Sequence, residues 1–161
     1  MVKNLNLRNI FISAYVLFFA SYLVIGIQPA EAAEYEISAT LKIPSISLES
    51  DVTTLLLDNH RLATPESIVG SFSRNQTTLL IGHSSSVFQN LSQAQINDII
   101  YYNGSAYLIT TVETKPKNEI NIDQLLLSDD ATLILMTCAG EDLGNGDATH
   151  RLIITAKKEV L

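Results

Sequence analysis

The run Thr132-Leu133-Ile134-Leu135-Met136-Thr137-Cys138 holds no charge and ends at the small pair Ala139-Gly140. It is too short for an ordinary helix, and its continuous apolar character marks a strand buried on both faces. The same signature recurs on either side of it. Leu152 to Ala156 follows, and Thr77 to Ile81 precedes, ending at Gly82. Ile99 to Tyr102 stops at Asn103-Gly104, a strong hairpin signal, and Ala106 to Val112 resumes beyond it with alternating faces. Leu41-Lys42-Ile43 is held extended by Pro44. Ser92 to Asn97, with Ser92 as N-cap, and Ile122 to Leu127 read as short helices. Many short strands separated by turn signals predict an all-β fold, a closed or nearly closed barrel of about eight strands with short helices. Residues 49–73 give no clear pattern.

The chain has 161 residues, of which 47% are hydrophobic and 17% charged, and its formal net charge is −7. That length suits one domain. The acidic balance argues against a nucleic-acid partner, which needs a basic face. One cysteine and three histidines argue against a disulfide scaffold and a zinc module. The apolar excess concentrates in residues 10–27, which carry no charge and follow Lys3 and Arg8. A helix of that length reaches about 27 Å, near the hydrocarbon thickness of a thin bilayer. The basic flank stays in the cytoplasm and places the rest of the chain outside. Two readings stay open. Ala30-Glu31-Ala32 has the form of a signal-peptide cleavage site, whereas the apolar run exceeds the usual ~7–15 residues of a signal peptide. An uncleaved transmembrane anchor is the preferred reading. The expected organisation is an anchor or signal peptide at 1–33, a tether at 34–40, and an extracytoplasmic barrel domain at 41–161, secreted if the signal is cleaved.

Three residues at strand ends carry the chemistry. Cys138 closes the central run and opens a small-residue loop, a placement that suits a nucleophile held rigidly yet within reach. The alternative is a small buried hydrophobe. His83, in Ile81-Gly82-His83-Ser84, also follows an apolar strand and can exchange a proton near neutral pH; the alternative is a surface histidine. Arg151 begins the last strand, and a hairpin between the two strands brings it beside Cys138, where a guanidinium offers donors to a developing oxyanion. Its alternative is a rim arginine with a carboxylate partner. His60 reads as a surface residue. His150 points to the face opposite Arg151.

The order histidine, cysteine, arginine on strand ends of an exported β protein resembles the sortases. The resemblance rests on Gly82-His83-Ser84, on Leu135-Met136-Thr137-Cys138 and on Arg151, and it spans roughly residues 40–158. The family's T-L-x-T-C motif is matched at Leu135, Thr137 and Cys138, while Ile134 stands where its first threonine would be. Leu41-Lys42-Ile43-Pro44 resembles the opening strand, and Phe88 and Leu91 the apolar residues after the histidine loop. Asn97-Asp98 stands where a Gly-Asp pair is common. The resemblance implies a membrane-anchored cysteine transpeptidase that cleaves an LPxTG-like sorting signal of secreted proteins in a Gram-positive-type envelope. Cys138 would form the thioacyl-enzyme, His83 would move the proton, and Arg151 would stabilise the oxyanion. Thr137 and Ser84 are the candidates for contacts to substrate or oxyanion, although Thr137 also suits plain packing. The acceptor would be an amine of a peptidoglycan precursor or a pilin lysine, and the membrane is met through the N-terminal helix. No cofactor is expected. Glu141, Asp142 and Asp147, with Asn145, form a lesser candidate for calcium, on a loop whose glycines fit mobility better. Papain-like peptidases place the cysteine before the histidine, and L,D-transpeptidases place an arginine almost directly after it, so neither pattern fits. The other reading is a non-catalytic exported β-barrel that binds an envelope protein.

Overall fold

The computed structural model describes residues 35–55, 57–58, 61–62, 65–127, 130–144 and 146–159. The segment read as an anchor, the cleavage site at 30–32, His60 and Asn145 lie outside the described residues. Among the described residues no helix is long and apolar enough to cross a membrane.

Ten strands follow in order: β1 (Ile37–Ile43), β2 (Leu48–Thr54), β3 (Leu57–Asp58), β4 (Arg61–Leu62), β5 (Val69–Arg74), β6 (Thr77–Ile81), β7 (Ile99–Tyr102), β8 (Ser105–Pro116), β9 (Thr132–Asp142) and β10 (Ala148–Lys158). Eight of them close a barrel in the order β1-β2-β5-β6-β9-β10-β8-β7, and β3 and β4 form a separate two-stranded ladder. The β2–β5 and β6–β9 pairs are parallel and the other barrel pairs antiparallel. The expected all-β barrel is the observed architecture.

The central run is β9, and it is buried on both faces as its composition requires. Leu133 and Leu135 point into the barrel with Leu80, Ile109 and Ile154. Ile134 and Met136 point outward into a second cluster with Leu79, Leu126 and Ile153. That outer cluster is covered by Ile120, Ile122 and Leu125, from the connection between β8 and β9. The helical turn Ile122–Leu125 within it is capped by Asn121, whose side chain accepts from the Gln124 amide. Arg74 ties the β5–β6 hairpin to the same turn through Asp123 at 2.7 Å.

Several sequence readings are corrected. Residues 37–40, read as tether, belong to β1. Their side chains are mostly exposed, and hydroxyl and backbone bonds rather than an apolar pattern hold them: Ser38 Oγ donates to the Val52 carbonyl and Thr53 Oγ1 to that of Glu36. The helix expected at 92–97 is only the 3-10 turn Leu91–Gln93. Ser92 lies inside it, and no side chain caps it. Strands β8, β9 and β10 extend beyond the readings because their polar ends pair through the backbone ladder without an apolar pattern. Glu141 and Asp142, read as loop, are the end of β9, and Leu143 N–H donates to the Asp147 carbonyl at 2.9 Å.

Candidate active site

Strand order decides which residues meet. β9 lies between β6 and β10. Cys138 is the direct cross-strand partner of Arg151. On the other side β6 runs parallel to β9 with Ile81 opposite Met136, and the chain then leaves β6 for the loop that begins with Gly82 and His83. Neighbouring strands lie about 4.8 Å apart, so Arg151 flanks the Cys138 backbone at roughly that distance. Alternation along β9 puts Cys138 on the outer face with Ile134 and Met136, beyond the edge of the outer cluster. Arg151 shares that face with Ile153. Cys138 is half-buried and forms no disulfide.

The loop carrying His83 is held by two local devices. Gly82 N–H donates to the Met136 carbonyl at 3.4 Å, and Thr137 Oγ1 donates to the Gly82 carbonyl at 2.7 Å. The His83 carbonyl then accepts from the amides of Ser86 and Phe88, which coils the loop back so that Phe88 enters the barrel core. Gly82 is required by this close approach, because a Cβ there would stand 2.7 Å from Phe88 Cδ2 and 2.8 Å from Val87 Cγ1. Thr137 itself is buried, 4% exposed, and its hydroxyl is committed to the loop. Ser84 is exposed at the loop surface.

The pair Asn97-Asp98 anchors the far end of the same loop. Asn97 adopts φ +74°, a left-handed conformation that glycine accepts without strain and asparagine tolerates. Asp98 Oδ2 accepts from Ser45 Oγ at 2.8 Å and from the Gln95 amide at 2.9 Å.

Arg151 has a carboxylate partner and also stands opposite Cys138. Its Nη2 donates to Asp147 Oδ1 at 2.5 Å, and its Nη1 donates to the carbonyls of Ala148 and His150, each at 2.9 Å. Lys117 Nζ reaches Asp147 Oδ2. Hydrogen bonds from Lys117 first, and then from Arg151 and the Ala148 amide, hold the Asp147 carboxyl far below the usual carboxylate range. Sequence reading had placed Asp147 among calcium candidates and passed over Lys117. Its bridge to Lys117 is legible only once β8 and β10 are paired. Among the described residues no group of three or more His, Cys, Asp or Glu is arranged to hold a metal ion. His150 bonds Thr149 Oγ1 through Nδ1 at 2.8 Å. It pairs with Ala139 beside the bulge at Gly140, whose φ is +81°.

A sequence model described as the Sortase domain matches residues 41–159. No curated protein matches the chain by sequence. Among solved structures, the chain is similar to a lid mutant of sortase A from Corynebacterium diphtheriae, at 22% identity and a TM-score of 0.62, over 82% of this chain and 75% of that one. It is similar to Listeria monocytogenes sortase A at 18% identity and a TM-score of 0.60, over 77% and 88% of the two chains. It is also similar to Clostridium perfringens sortase C, solved with the C-terminal cell wall sorting motif, at 19% identity and a TM-score of 0.58, over 81% and 75%. At these identities the likeness speaks for the fold.

Proposed function

The chain belongs to the sortase family, and from that membership we propose that it is a membrane-anchored cysteine transpeptidase acting on an LPxTG-like sorting signal of secreted proteins. The observation that carries this reading is the pairing of Cys138 with Arg151 on one side and, on the other, the bond from its neighbour Thr137 to Gly82 at the start of the His83 loop. Cys138 Sγ attacks the threonine carbonyl carbon of the signal, and Arg151 donates to the oxygen that becomes negative. As the peptide C–N bond breaks, His83 gives its proton to the leaving amine and the thioacyl-enzyme forms. An incoming amine, from a peptidoglycan precursor or a pilin lysine, then attacks the thioester. His83 takes the amine's proton, and the Cys138 thiolate leaves. Thr137 holds the loop that presents His83, and Ser84, exposed on that loop, is the further residue assigned to contact the substrate. Residues 10–27 serve as the anchor that keeps the barrel outside the cytoplasmic membrane. The loop preceding the turn at Ile122 to Leu127 contributes to reading the signal.

The test is mass detection of an adduct on the full chain incubated with a panel of LPxTG-like peptides and amines. A thioacyl mass on Cys138, absent in Cys138→Ala, is the expected result. The rate should pass through a maximum with pH, because one group must be protonated while the other is ionised. A native protein whose Cys138 resists a methanethiosulfonate reagent and forms no adduct would instead be a binding domain.

A further inference from the structure

Asp147 lies in the turn between β9 and β10, and its carboxylate makes bonds to three different places. Oδ1 accepts from Arg151 Nη2 and from the Ala148 amide, and Oδ2 accepts from Lys117 Nζ. The Asp147–Arg151 pair is sheltered, at 24% and 15% side-chain exposure, against 54% and 72% for the Lys42–Glu49 surface pair. It is therefore less screened by solvent. The bonds made by Nη1 and Nη2 leave Nε–H and one Nη2–H of the guanidinium for a ligand. Lys117 opens the 3-10 turn Lys117–Glu119 at the end of β8, and that turn leads directly into the residues covering the outer cluster. One carboxylate thus joins the segment that covers the outer cluster to the guanidinium of Arg151, the cross-strand partner of Cys138.

We propose that Asp147 is a positioning residue for transpeptidation. It holds the Arg151 guanidinium in place beside the thiol and, through Lys117, ties it to the segment 117–127. The proposal rests on the transpeptidase reading above. Oxyanion stabilisation depends on donors already in place, and an unrestrained arginine loses that advantage to its rotamer freedom. A lone carboxylate would also cancel the arginine's charge. Lys117 offsets this, because Lys117, Asp147 and Arg151 together keep one net positive charge.

The experiment uses the full chain, an LPxTG-like peptide and triglycine as the amine. A thioacyl adduct on Cys138 of the unsubstituted chain is the first readout, and its absence overturns the transpeptidase reading itself. With the adduct present, Asp147→Ala and Asp147→Asn are expected to lower kcat by roughly 10–100-fold, the scale of a small misplacement of a reacting group. KM should change little, and the rate at which methanethiosulfonate labels Cys138 should be unchanged. Lys117→Met should shift kcat in the same direction by less. In an Arg151→Lys background, Asp147→Ala should cost nothing further. Two results overturn the proposal: an unchanged kcat in Asp147→Asn, or an equal loss in both backgrounds. If Asp147→Ala does not fold, Asp147→Asn, which keeps the side chain's shape, decides.

Discussion

Asp147 is also the residue whose protonation the fold constrains most, through the hydrogen bonds from Lys117 and Arg151. Its folded-state pKa lies below its unfolded value. Between the two values the unfolded chain binds more protons, so stability rises with pH across that window. The contribution is fully present above the ordinary carboxylate pKa and is lost only as pH falls through the folded value. The carboxyl carbon of Asp147 is therefore expected to show a flat NMR chemical shift from pH 7 down to about 3, where ordinary aspartates near 3.9 have largely titrated. A midpoint near that ordinary value would mean that the bridge to Lys117 and Arg151 does not form in solution. The arrangement also explains why two readings of Arg151 were open in the sequence. A rim arginine with a carboxylate partner and an arginine beside the thiol are the same residue seen from its two edges.

The loop between β6 and β7 is the element on which the position of His83 depends. Its geometry follows from Gly82, packed against Phe88, itself 1% exposed in the core. Gly82→Ala is expected to cost about 1–3 kcal/mol by overpacking. It should also lower peptide-cleavage rates, because the displaced loop carries His83. Denaturant unfolding together with initial rates checks both, and wild-type values in each would show that the loop yields without moving His83. What could be read in the sequence follows the same logic. β6 and β7 are legible to their ends, because apolar runs stop at Gly82 and at Asn103-Gly104. β2 and β5 are not, because the polar run Glu49-Ser50-Asp51 breaks any alternation in β2 and the two pair in parallel, which leaves no local turn signal between them. Cys138, His83 and Arg151 were legible because each sits at the end of an apolar strand. Lys117 and Asp147 were not: they stand 30 positions apart and meet only because Pro116 pairs with His150.

The barrel does not close with equal strength all the way round. β10 pairs with β8 from His150 opposite Pro116 to Lys158 opposite Tyr107, and with β9 from Ala148 to Lys157. The β1–β7 seam rests on Leu41 opposite Tyr102 and Lys42 opposite Tyr101. The site is built on the long ladder, since Cys138 and Arg151 are paired within it, while the short seam lies on the far side of the strand order. Catalysis by donors already in place needs that distribution, because opening of the β9–β10 ladder would separate thiol and guanidinium directly. Opening at β1–β7 leaves their pairing intact and exposes Leu41 and Ile100 instead. Local opening free energies range from nearly zero up to the global stability, and the low end belongs to segments with few paired backbone groups. Native-state hydrogen exchange is therefore expected to release the seam amides of Lys42 and Tyr101 well before those of Leu135 and Ile153. Equal protection at all four would show that the barrel opens only as a whole, and that the site owes nothing special to its place on the long ladder.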